Sequence, residues 1–589
     1  LHAFGPGTIE HLLGDVLGYW RREKKADFAP LLSKCNGEIE DLLDDPEVLA
    51  GLEYVSQFER SGSKGPEQVY CYTMPEQECS LAKGKRLIFT TAEGGIKNAT
   101  IDRIDRDSHE VDLKWKKDET ELGFNPSVFV YNEWRSPDPK PAAISELAAA
   151  VLEPSAGPPN PAAMALLRRD LPTFVNGFGP IDGVFTDDLD QMLAWATGLN
   201  QTVVAIQGPP GTGKTFRGAR LVRKLVLAGK RVGITAMSHN AIDNLLEEVV
   251  DAFAEAGDLD RLNAFRKRKK PDSPLERVKY RDDNEAAAKD GYNLVAGTTW
   301  LFANDAMLNN PVDVLIIDEA GQLALADALA VTRSAHNLVL LGDPLQLAQV
   351  TKAAHPNDSG RSVLEHVLGD HVTMPPDRGV FLAETRRMHP DVSSFISDQI
   401  YEGRLTSHSS CAVQNTEFGT GLRWIRADHV GRSTDSEEEA EIIFKEILRL
   451  LGTTWTDRHG KQTPLTANDI LVVAPYNDQV NLVRSLLEGD PRTRDVAIGT
   501  VDKYQGREAA VVFFTMTAST EDNMRRGVDF LFSRNRFNVA ISRARCLAYL
   551  VCTEQLLNSR GKNIEQMRLI STICSFAERA TIVSVQPVT

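Results

Sequence analysis

No run of about 18 apolar residues occurs in the chain, so no segment reads as a membrane-spanning helix. A secretory signal is missing too: the opening LHAFGPGTIEHLL has neither a basic start nor a long apolar core. The chain begins with Leu1 rather than methionine and is expected to be a piece of something longer. Cysteine is sparse. The seven (Cys35, Cys71, Cys79, Cys411, Cys546, Cys552 and Cys574) form no C-x-x-C pair and no zinc spacing. Scattered cysteines suit a reducing cytoplasm, and most read as small buried hydrophobes. An excess of positive charge is lacking as well. Lys plus Arg total 66 against 82 Asp plus Glu, a net charge of −16, so any polyanion-binding surface must be a local channel with acidic faces elsewhere. Internal repeats and low-complexity tracts are also absent.

What remains is an ordinary globular composition, and 589 residues suffice for several domains at about 100–200 residues each. Residues 1–65 read as a helical, stalk-like region, through HLLGDVLGYWRREKK and EIEDLLDDPEVLAGL. Across 66–134 the pattern turns to short β runs (VYCYT, KRLIFTT, NATIDRIDRD, HEVDLKWKK) with Gly- and Asp-containing turns, which suggests a small β-barrel. Residues 135–184 form a Pro- and Ala-rich linker, with helices expected at AAISELAAAVL and AAMALLRRDL. From 185 to 376 apolar strands alternate with helices, the mark of a parallel α/β sheet: TVVAIQG, RVGITA, LVAGTT, DVLIIDEA and NLVLLGD. A second α/β block spans 377–557, with ILVVAP, VAIGTV, AVVFFT and LAYLVC, and 558–589 reads as a packing helix and tail. The stretch 246–292 interrupts the first block as a helical, basic insertion. Its run Arg266, Lys267, Arg268, Lys269 and Lys270 suits either a solvated loop or phosphate contact.

Chemistry concentrates in two places. GPPGTGKT, Gly208–Thr215, matches G-x-x-x-x-G-K-[ST], follows the apolar strand TVVAIQ and opens a helix. In the loop Gly208, Pro209, Pro210, Gly211, Thr212 and Gly213 the glycines let the backbone bend so that its N–H groups face phosphate oxygens, and the helix N-terminus adds a favourable dipole. Lys214 is placed to reach the β- and γ-phosphates of ATP, and Thr215 to ligand Mg²⁺. Downstream, LIIDEA sets Asp318 and Glu319 at a strand end. One carboxylate can hold Mg²⁺ through its water shell, and the next can orient and deprotonate an attacking water.

The order of the remaining motifs resembles superfamily 1 helicases, in the subgroup B that holds the RNA-decay helicases and senataxin, over about 185–557. That resemblance implies two tandem RecA-like P-loop domains, with a β-barrel insertion carried on a helical stalk. Gln191 matches a glutamine that reads the adenine edge. AMSHNAIDNL resembles motif Ia and Gly297-Thr298-Thr299 the next strand-end contact. DEAGQ is close to the subgroup's form, and GDPLQLAQV resembles motif III, with Gln346 as γ-phosphate sensor. ETRRMHP, TVDKYQGRE and NVAISRAR resemble the RMHP box, motif V and motif VI. They bring in Arg387, Gly506, Glu508 and Arg543, with Arg387 and Arg543 as arginine-finger candidates. The family usually has Tyr where Arg386 stands; a guanidinium plane can also stack on adenine.

The same resemblance implies backbone contacts to a single nucleic-acid strand from Ser238, Asn240, Thr298 and Thr500, each of which also suits a cap or turn. Tyr476, after ILVVA, suits stacking on a base or simple packing. Arg103, Lys114 and Lys116 of the barrel can also face such a strand. A second resemblance, carried by GYWRREKKADF and LLDDPEVLAGLEYV, is to bacterial fusions of a RecB-like nuclease with such a motor. Together these imply a 5′→3′ helicase favouring DNA over RNA, acting as a monomer, with any nuclease upstream. An RNA or ribonucleoprotein remodelling ATPase, or a binding module with a dead site, are the other readings.

Overall fold

The structure is a computed structural model that describes residues 1–62, 65–106, 108–115, 124–132, 138–153, 158–175, 177–501 and 507–584. They fall into two compact units, one of Leu1–Val16, Pro139–Val350 and Asn357–Thr589, the other of Leu17–Asp138 and Thr351–Pro356.

The first unit is built on two parallel sheets of RecA-like character. In the larger, the strands run in the order Val278–Arg281, Ala264–Lys267, Leu294–Ala296, Val232–Thr235, Val312–Ile317, Ala335–Gly342, Val203–Gln207 and Gly379–Phe381. Every neighbour is parallel, so all eight strands end along one edge. The central strands are near-continuous runs of buried Val, Ile and Leu, as a sheet covered on both faces requires. Helices Lys214–Leu227 and His239–Glu255 each bury an apolar stripe against it, through Leu221, Val222 and Leu225, and through Ile242, Leu246 and Val249. The second sheet orders Ala497–Thr500, Ile470–Ala474, Ala509–Thr515, Ala544–Cys552, Gly421–Arg426 and Thr581–Val583, again all parallel. Its core gathers Ile443, Ile447, Val472, Val483, Phe513 and Tyr549.

The other unit is a seven-stranded antiparallel sheet, in the order Val48–Leu49, Phe129–Tyr131, Arg86–Thr90, Ile96–Asp105, Glu110–Lys114, Gly65–Thr73, Glu53–Gly62. Among the described residues the ladder runs from one end to the other without closing, so the expected barrel is an open sheet in its hydrogen bonding. Tyr70, Phe89, Leu113, Trp115 and Phe129 fill its core. Helix Tyr19–Cys35 packs on it, and Thr351–Pro356 belongs to it through His355, which stacks on Tyr19 at 4.3 Å and meets Glu23 at 2.7 Å.

Four expectations need correction. EIEDLLDDPEVLAGL holds only the short helix Ile39–Leu42. Pro46 and Gly51 interrupt it, and Glu53–Gly62 is already a strand, so residues 1–65 are not helical throughout. The stretch 246–292 is not an insertion: Ala264–Lys267 and Val278–Arg281 extend the central sheet, unrecognised because cations break their apolar pattern. The first block does not end at 376, because Gly379–Phe381 pairs with Val203–Gln207. And the tail after helix Ile564–Arg579 adds the strand Thr581–Val583 beside Gly421–Arg426.

Candidate active site

Strand Val203–Gln207 is buried throughout and hands directly to the phosphate loop, whose Gly208 N–H donates to Gly342 O at 2.9 Å. Gly211 and Gly213 adopt φ +77° and +76°, left-handed values that open the loop before helix Lys214–Leu227 begins. Lys214 Nζ donates to Gly208 O at 2.6 Å and Thr212 Oγ1 to Pro209 O at 2.8 Å, while Thr215 stands half-buried in the helix's first turn.

Facing the loop, Asp318 ends strand Val312–Ile317. Its backbone N–H bonds Thr235 O at 2.9 Å, and its Oδ1 accepts the Glu319 N–H at 2.9 Å. Burial, reinforced by the Glu319 charge, pushes the Asp318 carboxyl up to about 7. Glu319 sits at φ 52°, a left-handed value rarely adopted outside Gly, Asn and Asp. The turn is tight behind it: a Cβ on Gly321 would lie 2.6 Å from Asp343 O. DEAGQ and GDPLQLAQV are thus packed backbone to backbone.

The second half of the chain closes directly onto this loop. Thr385 Oγ1 donates to Pro210 O at 2.9 Å and Arg386 N to Gly211 O at 2.9 Å. A Cβ on Gly211 would meet Thr385 Oγ1 at 2.5 Å and Arg387 Cβ at 2.6 Å, so only glycine admits this contact. Arg387 Nε donates to Glu508 Oε2 at 2.6 Å and its NH1 to Ser542 O at 3.2 Å. Glu508 also accepts from Arg545 NH2 at 2.5 Å. Burial alone would raise its carboxyl, but the two guanidiniums hold it below the usual carboxylate range. Arg543 is 3% exposed. Desolvation depresses it to about 9; the Arg387 charge adds to that and the Glu319 and Glu508 charges oppose it. Its NH1 donates to Arg507 O at 3.3 Å, and its Nε has no partner among the described residues.

Sequence reasoning missed a buried hub. Asp343 Oδ2 accepts from Gln346 Nε2 at 2.9 Å and from Tyr401 OH at 2.6 Å. Asn538 Nδ2 donates to Tyr401 OH and to Leu345 O, both at 2.8 Å, and Asn535 Nδ2 to Pro344 O at 2.9 Å. The candidate γ-phosphate sensor is therefore bonded, through a tyrosine outside every motif, to helix Arg534–Ile541, which leads straight into Ser542 and Arg543. Two more missed residues lie beside the expected adenine pocket. Arg217 NH1 donates to Asp187 O at 2.5 Å, and Asp187 Oδ2 accepts the Ala383 N–H at 3.3 Å. Close by, Gln191 Oε1 accepts from Thr186 Oγ1 at 3.1 Å, while Arg386, 62% exposed, lies 3.6 Å from Glu384.

Residues 188–359 match a family model described as an AAA domain, and residues 359–555 match a second described the same way. The chain is 28% identical over 451 residues to the DNA-binding protein SMUBP-2 of Rattus norvegicus, covering 64% of this chain and 44% of that protein. It is 26% identical over 411 residues to the DNA polymerase alpha-associated DNA helicase A of Schizosaccharomyces pombe (57% and 59%). It is also 26% identical over 379 residues to the DNA replication ATP-dependent helicase/nuclease JHS1 of Arabidopsis thaliana (60% and 27%). Two adjacent stretches of the chain, one in each α/β block, thus each resemble an AAA domain. The chain spans about half the length or less of these relatives, except the Schizosaccharomyces protein at 59%. A solved Arterivirus nonstructural protein 10 (helicase) aligns at 13% identity over 85% of this chain and 78% of that chain with a TM-score of 0.36, too low to carry an argument.

The chain presents most of its expected strand contacts at the ends of parallel strands. Ser238 and Asn240 are exposed, with Ser238 Oγ capping helix His239–Glu255 by accepting the Ala241 N–H at 3.1 Å. Thr298 and Thr500 are half-buried, Thr298 just past Leu294–Ala296 and Thr500 closing Ala497–Thr500. Tyr476 is a correction. It is 7% exposed with its ring 5.5 Å from Phe530, so it packs in the core and offers no face to a base. In the antiparallel unit, Arg103 is held by Asp112 and Glu110, and Lys114 lies 3.4 Å from both Glu67 and Asp102. Gly506 and Lys116 lie outside the described residues. Among the described residues no helix is long and apolar enough to cross a membrane.

Proposed function

We propose that this chain is the motor portion of a DNA helicase or translocase that uses ATP and Mg²⁺ to move 5′→3′ along one strand as a monomer. It would work together with a RecB-like nuclease domain. One observation carries the motor reading: Thr385 and Arg387, from the second half of the chain, are seated on Pro210 and Gly211 of the phosphate loop. A nucleotide held there bonds both halves at once, so its cleavage changes the affinity of one half for the other. Repeated closing and opening against a bound strand is stepping.

In this reading the loop N–H groups and Lys214 hold the β- and γ-phosphates, Gln191 orients the base, and Arg386 lies over it. Glu319 takes the proton of the attacking water, and Gln346 senses the γ-phosphate. Arg387 and Arg543 neutralise the charge that develops on the transferred group, an effect of about 10³–10⁵ in rate. The chemistry of the donor set fits Mg²⁺: a carboxyl raised by burial and further by an adjacent carboxylate favours a cation, and Asp318 with the Thr215 hydroxyl would hold it. When bound, the ion draws charge from the phosphate oxygens. The Arg543 Nε, without a partner among the described residues, suits an incoming anionic oxygen. DNA as track is supported by the relatives named for DNA helicases, and the nuclease by the one named a helicase/nuclease.

The test is strand displacement on duplexes with 5′ or 3′ tails of DNA or RNA. Unwinding of 5′-tailed DNA, lost in Lys214→Ala, is expected. Preference for a 3′ tail would overturn the polarity, and preference for RNA the track.

A further inference from the structure

The basic run Arg266–Lys270 suits either a solvated loop or phosphate contact, and it begins inside the parallel sheet, in strand Ala264–Lys267. Four consecutive neighbours, Val232–Thr235, Leu294–Ala296, Ala264–Lys267 and Val278–Arg281, are parallel and end on the same edge. The first two lead into Ser238, Asn240 and Thr298; the next two lead into Arg268, Lys269, Lys270 and Arg281. In register, Ile234 lies beside Ala296, Ala296 beside Arg266, and Lys267 beside Arg281.

Arg266 is not part of the surface. It is 0% exposed and ties the strand end to the helix that carries the first contacts: its Nε donates to Asp243 Oδ1 at 2.7 Å and its NH2 lies 3.0 Å from His239 Nδ1. Arg268 binds the same Asp243 carboxylate, and Lys267 lies 4.0 Å from Asp282. Lys269, Lys270 and Arg281, by contrast, are exposed and have no ion pair among the described residues. A chain of net charge −16 thus exposes unneutralised cations on the edge that continues its expected strand contacts, at the end remote from the phosphate-loop strand Val203–Gln207.

We propose that this edge is an outer phosphate-binding tract, where Lys269, Lys270 and Arg281 grip the backbone of a single strand that has passed Ser238 and Thr298. The inference rests on the strand-bound motor reading. Three strand-to-strand steps of about 4.8 Å make some 14 Å, which at about 3.4 Å per phosphate or more is room for about four phosphates or fewer.

The experiment is fluorescence anisotropy of labelled oligodeoxythymidylates of graded length, in graded salt, on the full chain and on the triple variant K269Q/K270Q/R281Q. All three side chains are exposed, so folding is expected to be intact. For long oligomers the variant should bind at least tenfold more weakly. Its slope of log affinity against log salt should be shallower by about 2, at roughly 0.7 per phosphate on a single strand. The shortest oligomers that bind at all, and basal ATP hydrolysis, should be unchanged. Equal affinity and slope for parent and variant at every length would overturn the outer tract alone. If the parent binds no oligomer, the strand-bound motor reading falls and this proposal with it.

Discussion

Arg543 is 3% exposed, its Nε is unpartnered among the described residues, and desolvation depresses its guanidinium to about 9. A buried charge without full pairing costs folding free energy, and replacing it with an apolar side chain of similar length is often stabilising by about 1–4 kcal/mol. Arg543→Met should therefore raise the melting temperature of the nucleotide-free chain while ATP turnover falls by about 10³. Calorimetry beside a phosphate-release assay measures both; a lower melting temperature with normal turnover would remove Arg543 from the site. A second buried base behaves differently. His366 is 1% exposed and bonds Leu166 O at 2.9 Å through Nε2, and burial lowers it to about 4. The unfolded chain takes up this proton near pH 6.5 and the folded chain only near 4. The stability is thus present above about pH 6.5 and lost as pH falls toward 4, on the order of 3 kcal/mol in all. The melting temperature of His366→Gln should fall less steeply than the parent's between those pH values.

Between elements, the informative contact is the Tyr401 hydroxyl. It donates to Asp343 and accepts from Asn538, joining the turn after strand Ala335–Gly342 to helix Arg534–Ile541. Removing the hydroxyl leaves the Asp343 carboxylate one donor short in a buried place, a loss of about 1–3 kcal/mol. Tyr401→Phe should lower kcat about tenfold with the KM for ATP nearly unchanged, because the phosphate loop is untouched while the approach of Arg543 loosens. A rise in KM at constant kcat would assign Tyr401 to nucleotide binding instead. No motif points to this tyrosine. Its partners lie 58 and 137 positions away, and an aromatic in an amphipathic helix pattern reads as core. Gly211 is similar: the motif leaves its position open, and only the fold shows that Thr385 and Arg387 occupy the space a side chain would need.

Across the chain, most of the strands that carry chemistry were readable in advance, because a strand buried on both faces is a run of Val, Ile and Leu that stands out from its neighbours. The elements that escaped are those whose composition is not apolar or whose partner is remote: VKYR at a sheet edge and AFRK one strand in, GVF beside the phosphate-loop strand, TIV at the tail. VKYR is exposed at alternate residues, so a cation every second residue costs it little while erasing the periodic signal.

Local spacing thus determined by itself the phosphate loop, the Asp318–Glu319 pair and the order of the two α/β blocks. Each of these rests on backbone geometry within a few residues, or on a run of one side-chain type. Only tertiary structure decided that Thr385 and Arg387 rest on Gly211, that Arg266 is a buried tie while Lys269, Lys270 and Arg281 stay free, and that Tyr476 is core. Burial and charge pairing are set by residues distant in the chain, and a side chain's chemistry is the same on the page whether it ends up in water or under a helix.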